Sequence, residues 1–369
     1  MHATETHTGA PTTAGKAQRL AHLNRDGRIF HVVLAQQYDR SDIGEFCQLA
    51  DMIRTISAHR QGTRFLETLL NYRRAMLYFI QPSTRTFLSF TAACQVLGVR
   101  YNTVRDRSTS SEAKGESEDD TIRVLSQYFD LIIMRHPVEG FAEHVAHILN
   151  AIPRTIPIIN GGSGKDQHPT QALLDIYTLF RCMVGSGEAA GVPDYTSNPF
   201  KGKTIGFVGD LLRGRTVRSL TYLLGRYAGM RLLFVSPPQL QIGEDILEYL
   251  KQRGIEYEIS HDLRKHIGEL DAVYMTRLQD EHDVDGESKS IDYDRFSLTF
   301  DTAKDFKSNL AILHPLPRRN EIDQRLDVLP QAKYWDQVRN GMWTRAALIG
   351  YLFQAEATIR EHYHDHYAF

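Results

Sequence analysis

Several residues and patterns that mark common protein classes are scarce in this sequence. Its 369 residues include three cysteines, Cys47, Cys94 and Cys182, which lie far apart and in no Cys-x-x-Cys spacing. This excludes a disulfide framework and a zinc knuckle, and it predicts buried thiols in a reducing compartment. The 43 basic residues do not exceed the 45 acidic ones. Because nucleic-acid-binding proteins normally carry a basic excess, we expect no nucleic-acid partner.

Long apolar segments are also missing. No run of about eighteen apolar residues occurs, and residues 1–27 lack the apolar core of a secretory signal. We therefore predict a soluble, cytoplasmic protein with no membrane partner. Residues 1–27 are rich in Thr, Ala and Gly and predict a disordered tail. Since they contain few acids, a transit peptide is the alternative.

What the chain does contain is the pattern of a two-domain α/β protein. Its length exceeds what one hydrophobic core usually organises. Short apolar runs alternate with helical stretches, which is typical of parallel sheets flanked by helices. We predict a helix over 42–56, with Ser41 or Asp42 as N-cap, and another over 169–183. Predicted strands lie at 75–80, 100–104, 131–134 and 156–159 in a first set, and at 204–208, 232–235, 256–259, 272–275 and 311–313 in a second.

A loop-rich segment that begins near residue 184 separates the two sets of strands. We predict a first domain over 28–183 and a second over 184–340. A C-terminal helix over about 341–360 is predicted to pack back on the first domain.

The most informative segment is 81–86, Gln-Pro-Ser-Thr-Arg-Thr, which lies between a predicted strand and a helical pattern. At such a turn, free backbone N–H groups and the positive end of the helix meet an anion. The hydroxyls of Ser83 and Thr84 and the guanidinium of Arg85 would form a phosphate cradle. The alternative is that the two hydroxyls only cap the helix. Arg85 favours the cradle, because a cation in the first turn opposes the helix dipole.

Four more motifs follow in order: Lys-Gly-Glu-Ser at 114–117, Met-Arg-His-Pro at 134–137, His-Pro-Thr-Gln at 168–171 and His-Pro-Leu-Pro at 314–317. Together the five motifs resemble the aspartate and ornithine carbamoyltransferase family over about residues 30–360. The His-Pro-Leu-Pro form is similar to the aspartate branch. The resemblance implies transfer of the carbamoyl group of carbamoyl phosphate to the amine of L-aspartate. The products would be N-carbamoyl-L-aspartate, an intermediate of pyrimidine biosynthesis, and phosphate, with no metal and no cofactor.

This chemistry needs fixed hydrogen-bond donors more than bases, because an oxygen gains negative charge when the amine attacks the carbonyl carbon. The resemblance implies that Arg85, Thr86 and His168 polarise that oxygen, with Lys114 as a further catalytic residue. Taken singly, Arg135 is equally typical of an exposed strand end, and His168 of a helix N-cap. The implied carbamoyl phosphate ligands are Ser83, Thr84, Arg85, Thr86, Ser110, Arg135, His168, Gln171, Leu316 and Pro317, of which the last three would bind the NH2 group.

The acceptor site is expected in the second domain. The segment 209–216, Gly-Asp-Leu-Leu-Arg-Gly-Arg-Thr, follows a predicted strand and lacks the Gly-x-Gly-x-x-Gly spacing of a dinucleotide site. The resemblance implies that Arg215 and Arg277 bind the two carboxylates of aspartate, with Gln279 and Lys114 beside them. Either arginine alone is also typical of a surface ion pair.

Residues 108–117 lack hydrophobic periodicity and predict a mobile polar loop. The resemblance implies that Ser110 and Lys114 reach the active site of a neighbouring subunit, and hence a homotrimer with shared sites. A solvated loop is the alternative. The acids at 118–120 are expected in the first turn of the next helix, where they suit the helix dipole.

Five positions depart from the family pattern, mostly on the acceptor side, and one of them is Ser163, which stands where an aspartate is usual. This leaves open a carbamoyltransferase paralogue that acts on a different amino acid, or a binding homologue without catalysis. Gln81 stands where glutamate is common, Phe87 where arginine is frequent, Arg213 where an aromatic residue is usual and His282 where an arginine often follows the Arg-x-Gln motif.

Overall fold

The computed structural model describes residues 20–106, 115–164, 167–184, 192–277 and 292–368. A short antiparallel hairpin opens this part of the chain, and a four-stranded parallel sheet flanked by helices follows. The strands are β1 (Asn24–Arg25), β2 (Arg28–Ile29), β3 (Arg74–Phe79), β4 (Arg100–Val104), β5 (Leu131–His136) and β6 (Ile158–Ser163). The helices are α1 (Arg40–Ser57), α2 (Arg60–Leu69), α3 (Thr84–Val96), α4 (Glu118–Tyr128), α5 (Phe141–Asn150) and α6 (Pro169–Val184).

A five-stranded parallel sheet forms the second half. Its strands are β7 (Thr204–Val208), β8 (Arg231–Val235), β9 (Glu256–Ser260), β10 (Ala272–Met275) and β11 (Ala311–Leu313). The α-helices of this half and of the C-terminal segment are α7 (Arg215–Leu224), α8 (Glu244–Gln252), α9 (Tyr334–Leu352) and α10 (Glu356–His366). Two parallel sheets flanked by helices confirm the predicted fold class.

The strands form where apolar runs can be buried on both faces of a sheet. All but the first residue of β3 and every residue of β5 are buried, as expected for parallel strands covered by helices. Four strands, β4, β7, β10 and β11, match the predicted ranges residue for residue. The largest deviation is β6, which begins two residues later than predicted and continues to Ser163.

Each sheet contains a position at which the direction of strand addition reverses. The first sheet has the order β4-β3-β5-β6, and the second has the order β11-β10-β7-β8-β9. The reversals lie between β3 and β5 and between β7 and β10. Ligands of open α/β sheets bind at the carboxyl ends of strands at such points. Segments 81–86 and 209–216 follow β3 and β7 at these two positions.

One predicted helix cap and one predicted tail need correction. Helix α1 is capped by Asp39 rather than by Ser41 or Asp42, because the Asp39 carboxylate accepts from the Asp42 N–H at 2.8 Å. Residues 20–27, predicted as tail, contain β1 and the buried side chain of Leu23. Helix α4 does begin with the three acids at 118–120, and its N-cap is Ser117.

The predicted C-terminal helix is two helices, α9 and α10. Gln354 adopts the left-handed conformation with φ of 58° and ends α9. The Ala355 N–H donates to the Gly350 carbonyl at 2.8 Å, and the Gln354 N–H to the Tyr351 carbonyl at 3.0 Å. This is a Schellman motif. Helix α9 packs against α1, α3 and α6, so the C-terminal segment does return to the first sheet.

In the part of the chain that the structure describes, no helix is both long and apolar enough to cross a membrane. Cys47 and Cys94 are buried, Cys182 is half-buried, and all three are free thiols.

The joint between the two halves is held by a buried carboxylate on α1. Asp51 is 3% exposed and accepts a hydrogen bond from the Tyr177 hydroxyl at 2.6 Å. It also accepts from the Arg181 guanidinium and from the Tyr195 hydroxyl, which lies in the segment that leads to the second sheet. One acid therefore connects α1, α6 and the interdomain segment.

We expect Asp51→Ala to lower the free energy of unfolding by about 3–5 kcal/mol, because it leaves a guanidinium and two hydroxyls without their acceptor. The matched control is Asp292→Ala. Asp292 pairs with Arg295 at 3.1 Å, and both side chains are more than half exposed, so its loss should cost at most about 1 kcal/mol. Urea denaturation followed by tryptophan fluorescence measures both, since Trp335 and Trp343 lie on α9. Equal midpoints for the two variants would contradict a stabilising role for Asp51.

Candidate active site

A cavity of about 820 Å³ lies between the two sheets, at the carboxyl ends of their strands. Its lining is strongly cationic, since the described residues around it include seven arginines and a single carboxylate, that of Glu139. A cavity of this size and charge suits anions of low molecular weight. The arginines are Arg85, Arg135, Arg213, Arg215, Arg277, Arg339 and Arg345.

The segment 81–86 forms one wall of the cavity. Ser83 occupies the N-cap position of α3 in extended backbone conformation, but its side chain makes no capping hydrogen bond. The first turn, Thr84 to Thr86, therefore presents backbone N–H groups without helical partners and the positive end of the helix dipole to the cavity. The alternative in which Ser83 caps the helix through its hydroxyl is therefore not realised in this structure.

Arg135 lies at the end of β5 and faces the same space. It is buried, its Nη1 donates to the Gly161 carbonyl at 3.0 Å, and its Nε has no partner among the described residues. Burial, and then repulsion from Arg215, Arg345 and Arg85, lowers the pKa of Arg135 to about 9. A bound anion stabilises a guanidinium that is buried beside other cations, because it offsets both the burial and the repulsion.

Gly162 allows this arginine and His168 to approach each other. Its φ of 115° lies in the region that favours glycine, and a Cβ at this position would stand 2.5 Å from Nη1 of Arg135 and 3.3 Å from Cδ2 of His168. Any side chain at position 162 would displace both groups.

His168 precedes α6 and is buried. Its backbone N–H donates to the Ser219 hydroxyl at 3.2 Å, while Nδ1 has no partner among the described residues. Burial, and then the charges of Arg135, Arg215 and Arg345, holds the pKa of His168 well below 6.5. At neutral pH the imidazole is uncharged and can donate one N–H to a ligand oxygen.

The second sheet supplies Arg215 and Arg277. Arg215, the first residue of α7, donates to the Gly164 carbonyl of the first domain. Gly209, directly after β7, has φ of 113°, and a Cβ there would lie 2.1 Å from the Thr276 carbonyl oxygen. This close approach places the turn beside the end of β10. Burial and the charge of Arg277 lower the pKa of Arg85, so cations of the two halves face each other.

The segment 314–317 completes the cavity. The Leu316 N–H donates to Nδ1 of His314 at 2.7 Å, and Nε2 of His314 pairs with Glu321 at 2.8 Å. Since Nδ1 accepts, His314 carries its proton on Nε2. Both ring nitrogens are thereby used to hold the loop that carries Leu316 and Pro317.

Helix α9 contributes five lining residues that were not identified from the sequence, and two of them, Gln337 and Arg345, are buried. Arg345 donates to the Ser89 hydroxyl at 2.7 Å, while its Nε and Nη2 have no partner in the described part of the chain. Gly341, one turn earlier, provides space, because a Cβ there would lie 2.6 Å from Nη1 of Arg345. Gln337 is also buried. The available signal was that Gln337, Asn340, Thr344 and Arg345 place polar side chains among the buried apolar positions of this helix.

Three predicted site residues, Ser110, Lys114 and Gln279, lie outside the described residues, as does His282. The other predicted site residues, which belong to both halves of the chain, all line this one cavity. Within the described ranges, no group of three or more His, Cys, Asp or Glu side chains could hold a metal ion.

The departures have local explanations in the structure. Phe87 packs edge-to-face on Phe79, with ring centroids 5.5 Å apart, and the Arg105 guanidinium lies 4.4 Å from the centre of the Phe87 ring. The Arg213 N–H donates to Asp210 at 2.9 Å. Gln81 has a buried Oε1 that finds no partner among the described residues.

Comparison with known proteins agrees with this geometry. Residues 31–181 match the aspartate/ornithine carbamoyltransferase carbamoyl-P binding domain, and residues 201–352 match the Asp/Orn binding domain of that family. Aspartate carbamoyltransferase 1 of Pisum sativum, a chloroplastic protein, is 38% identical over 86% of this chain and 77% of its own length. The catalytic subunit of aspartate carbamoyltransferase from Methanosarcina mazei is 36% identical over 86% of this chain and 95% of its own.

Solved structures extend the comparison to the fold. The catalytic subunit of M. jannaschii aspartate transcarbamoylase superposes with a TM-score of 0.75 at 36% identity, covering 88% of this chain and 98% of that one. Aspartate transcarbamoylase from Trypanosoma cruzi, in complex with N-(phosphonacetyl)-L-aspartic acid, gives a TM-score of 0.74 at 34% identity, covering 86% and 94%. With both domain models matched in order and these relatives aligned over most of their length, the chain belongs to the aspartate/ornithine carbamoyltransferase family.

Proposed function

We propose that this chain transfers the carbamoyl group of carbamoyl phosphate to L-aspartate, giving N-carbamoyl-L-aspartate and phosphate, a reaction that serves pyrimidine biosynthesis. The observation that carries the proposal is one cavity that is lined by the first turn of α3 and by Arg215 and Arg277 of the second domain. The relatives named aspartate carbamoyltransferase support the same substrates.

The first domain would hold carbamoyl phosphate. The phosphate would lie at the first turn of α3, against Ser83, Thr84 and Arg135, where N–H groups and guanidinium donors match its oxygens. Arg85, Thr86 and the neutral His168 would donate to the carbonyl oxygen. Gln171 and the carbonyl groups of Leu316 and Pro317 would accept from the NH2 group.

The reaction itself is an acyl transfer. The uncharged amine of aspartate forms a C–N bond with the carbonyl carbon, and the bond from that carbon to the phosphate oxygen breaks. The proton that the amine loses leaves with phosphate as HPO4²⁻. Negative charge on the carbonyl oxygen is greatest after the C–N bond has formed and before the C–O bond breaks. Fixed hydrogen-bond donors stabilise this charge and so lower the barrier.

The acceptor would be held through its two carboxylates by Arg215 and Arg277, with Gln279 and Lys114 beside them. The closing test of the acceptor is a screen of amino acids with carbamoyl phosphate, read as phosphate release and product mass. Aspartate should be the preferred acceptor. Preference for another amino acid would support the paralogue hypothesis, and release with no acceptor would show donor hydrolysis instead.

We further propose a homotrimer in which Ser110 and Lys114 of one subunit enter the site of its neighbour. The proposal rests on the family pattern at 108–117.

Arg85→Ala should lower the turnover number by about 100- to 1000-fold, because it removes a donor assigned to charge that grows in the transition state. The matched control is Arg295→Ala, which removes an exposed guanidinium that pairs with Asp292 and should leave the rate unchanged. Steady-state rates and thermal midpoints of both variants check this. A rate for Arg85→Ala above about a tenth of the wild-type value would remove Arg85 from the mechanism.

His168 should remain uncharged between about pH 6 and 8, because its pKa is lowered well below 6.5. The folded chain then binds fewer protons at this group than the unfolded chain, so the contribution of His168 to stability is complete above about pH 6.5 and falls as the pH decreases below it. Nitrogen NMR of labelled histidine, assigned with His168→Ala, reports the charge. A titration midpoint near 6.5 would contradict the neutral-donor role.

Subunit mixing tests the shared site. Lys114→Ala and His168→Ala chains should each be inactive alone, and activity should return after dissociation and reassembly, because hybrid trimers contain sites with both residues intact. Mixing two batches of the same variant is the control. Absence of recovery, with hybrid trimers shown by native mass spectrometry, would mean that each site is built from one chain.

A further inference from the structure

Asp175 of α6 is a buried carboxylate with no exposed surface. Its Oδ1 accepts from Nε2 of Gln171 at 2.9 Å and from Nε2 of Gln337 at 2.6 Å. Its Oδ2 accepts from the Tyr274 hydroxyl at 2.7 Å. Three donors therefore converge on one acid that does not itself line the cavity.

The three partners lie on three different elements, and two of them, Gln171 and Gln337, line the cavity. Gln171 lies in the first turn of α6 and lines the cavity. Tyr274 lies in β10, shortly before Arg277. Gln337 lies on α9, and its Oε1 accepts from the His314 N–H at 2.8 Å, where the segment 314–317 begins.

The chemistry of a carboxylate fixes how both glutamine amides are turned. An ionised carboxylate only accepts hydrogen bonds, so only the NH2 end of an amide can face it. Gln171 must then direct Oε1 away from Asp175 and toward the cavity. Gln337 likewise directs Oε1 toward the His314 N–H, which holds the start of the loop that carries Leu316 and Pro317.

We propose that Asp175 is a positioning residue that selects a donor substrate bearing N–H groups, by presenting the carbonyl end of Gln171 to the cavity. The inference rests on the proposed function, because it concerns the donor of that reaction. Acetyl phosphate has nearly the same shape as carbamoyl phosphate but carries a methyl group in place of NH2. A site that presents hydrogen-bond acceptors rejects such an analogue, because its polar groups are left unpaired.

The ionised form of Asp175 is required for this role. Burial raises its pKa to about 7, while the bonds from Tyr274, Gln337 and Gln171 and the nearby charge of Arg345 oppose that rise. The experiment is therefore done at about pH 8.5, where the carboxylate is charged.

The test compares the dissociation constants of carbamoyl phosphate and acetyl phosphate, measured by calorimetry on the assembled wild-type enzyme and on Asp175→Asn. In the variant, the asparagine carbonyl and NH2 groups allow Gln171 to turn and to present a donor to the cavity. The preference for carbamoyl over acetyl phosphate should fall about tenfold or more, mainly through weaker carbamoyl phosphate binding. The affinity for inorganic phosphate should change by less than about threefold. An unchanged preference would overturn the proposal.

Thr178→Val is the matched control. The Thr178 hydroxyl accepts from Nδ2 of Asn340 at 3.0 Å and so joins the same two helices, α6 and α9, at a separate position from Gln171. The preference should equal that of the wild type. A loss as large as that of Asp175→Asn would show that only helix packing matters, which also overturns the proposal.

The double variant Asp175→Asn, Gln171→Glu exchanges the carboxylate and the amide between positions 175 and 171. The new carboxylate at position 171 can accept from the asparagine NH2 and still present an acceptor oxygen to the cavity, so the preference should recover, although the added charge weakens both ligands. If Asp175→Asn alone does not fold, the double variant is the test of the proposal. Equal affinities of the double variant for carbamoyl phosphate and acetyl phosphate would then contradict the positioning role of Asp175. Failure of the wild type to form N-carbamoyl-L-aspartate counts against the proposed function instead, because the binding preference is measured without turnover.

Discussion

The constraint on which the site depends is the grouping of seven guanidinium groups around one cavity, two of which, those of Arg135 and Arg345, are buried. Seven arginines and one carboxylate of the described residues line the cavity, and in a medium of low polarity like charges repel far more strongly than in water. Burial and neighbouring cations lower the pKa of Arg135 to about 9, and burial lowers that of Arg345 to about 10. Both remain protonated at neutral pH, so the unliganded site stores electrostatic energy that a phosphate or a dicarboxylate releases on binding.

A continuous apolar core and two buried acids surround this charge cluster. The largest apolar cluster runs from α1 and β3 of the first half to β7 and β8 of the second. Asp51 and Asp175, both buried, connect segments that are distant in sequence. The two acids lie on the domain joint rather than in the cavity. They hold the surrounding elements in place, and Asp175 opposes the lowering of the Arg345 pKa by burial.

The fold and part of the site could be predicted from the sequence, since both depend on local patterns. Apolar runs define β7 and β10, and Arg85 and Arg215 each follow a strand within a few residues. Arg345 and Gln337 could not be found in this way, because they enter the cavity on a helix that begins far along the chain at Tyr334.

Local conformation explains the other differences between prediction and structure. The end of α9 depends on Gln354 in the left-handed region, which glycine usually occupies. The sequence has no glycine at position 354, so a prediction from periodicity alone continued the helix past the residue at which α9 ends. Asp175 has the spacing of an ordinary inward position of α6, and its importance follows only from the three donors that tertiary packing brings to it.

The departures from the family pattern also act through charge. Gln81 in place of a glutamate leaves the wall of the cavity with one acid fewer, and its backbone N–H donates to the Arg135 carbonyl. Arg213 adds a cation on the acceptor side, although Asp210 lies 3.8 Å from its guanidinium. Phe87 removes a cation but supports Arg105 through its ring.

Together these changes keep positive charge at the acceptor side while removing a fixed acid that would compete for the arginines. A carboxylate of the substrate then has no protein carboxylate at position 81 to displace. Attraction of a dianionic acceptor should consequently depend more on ionic strength than in a relative that retains the glutamate, because long-range steering by the cations of the cavity is screened by salt.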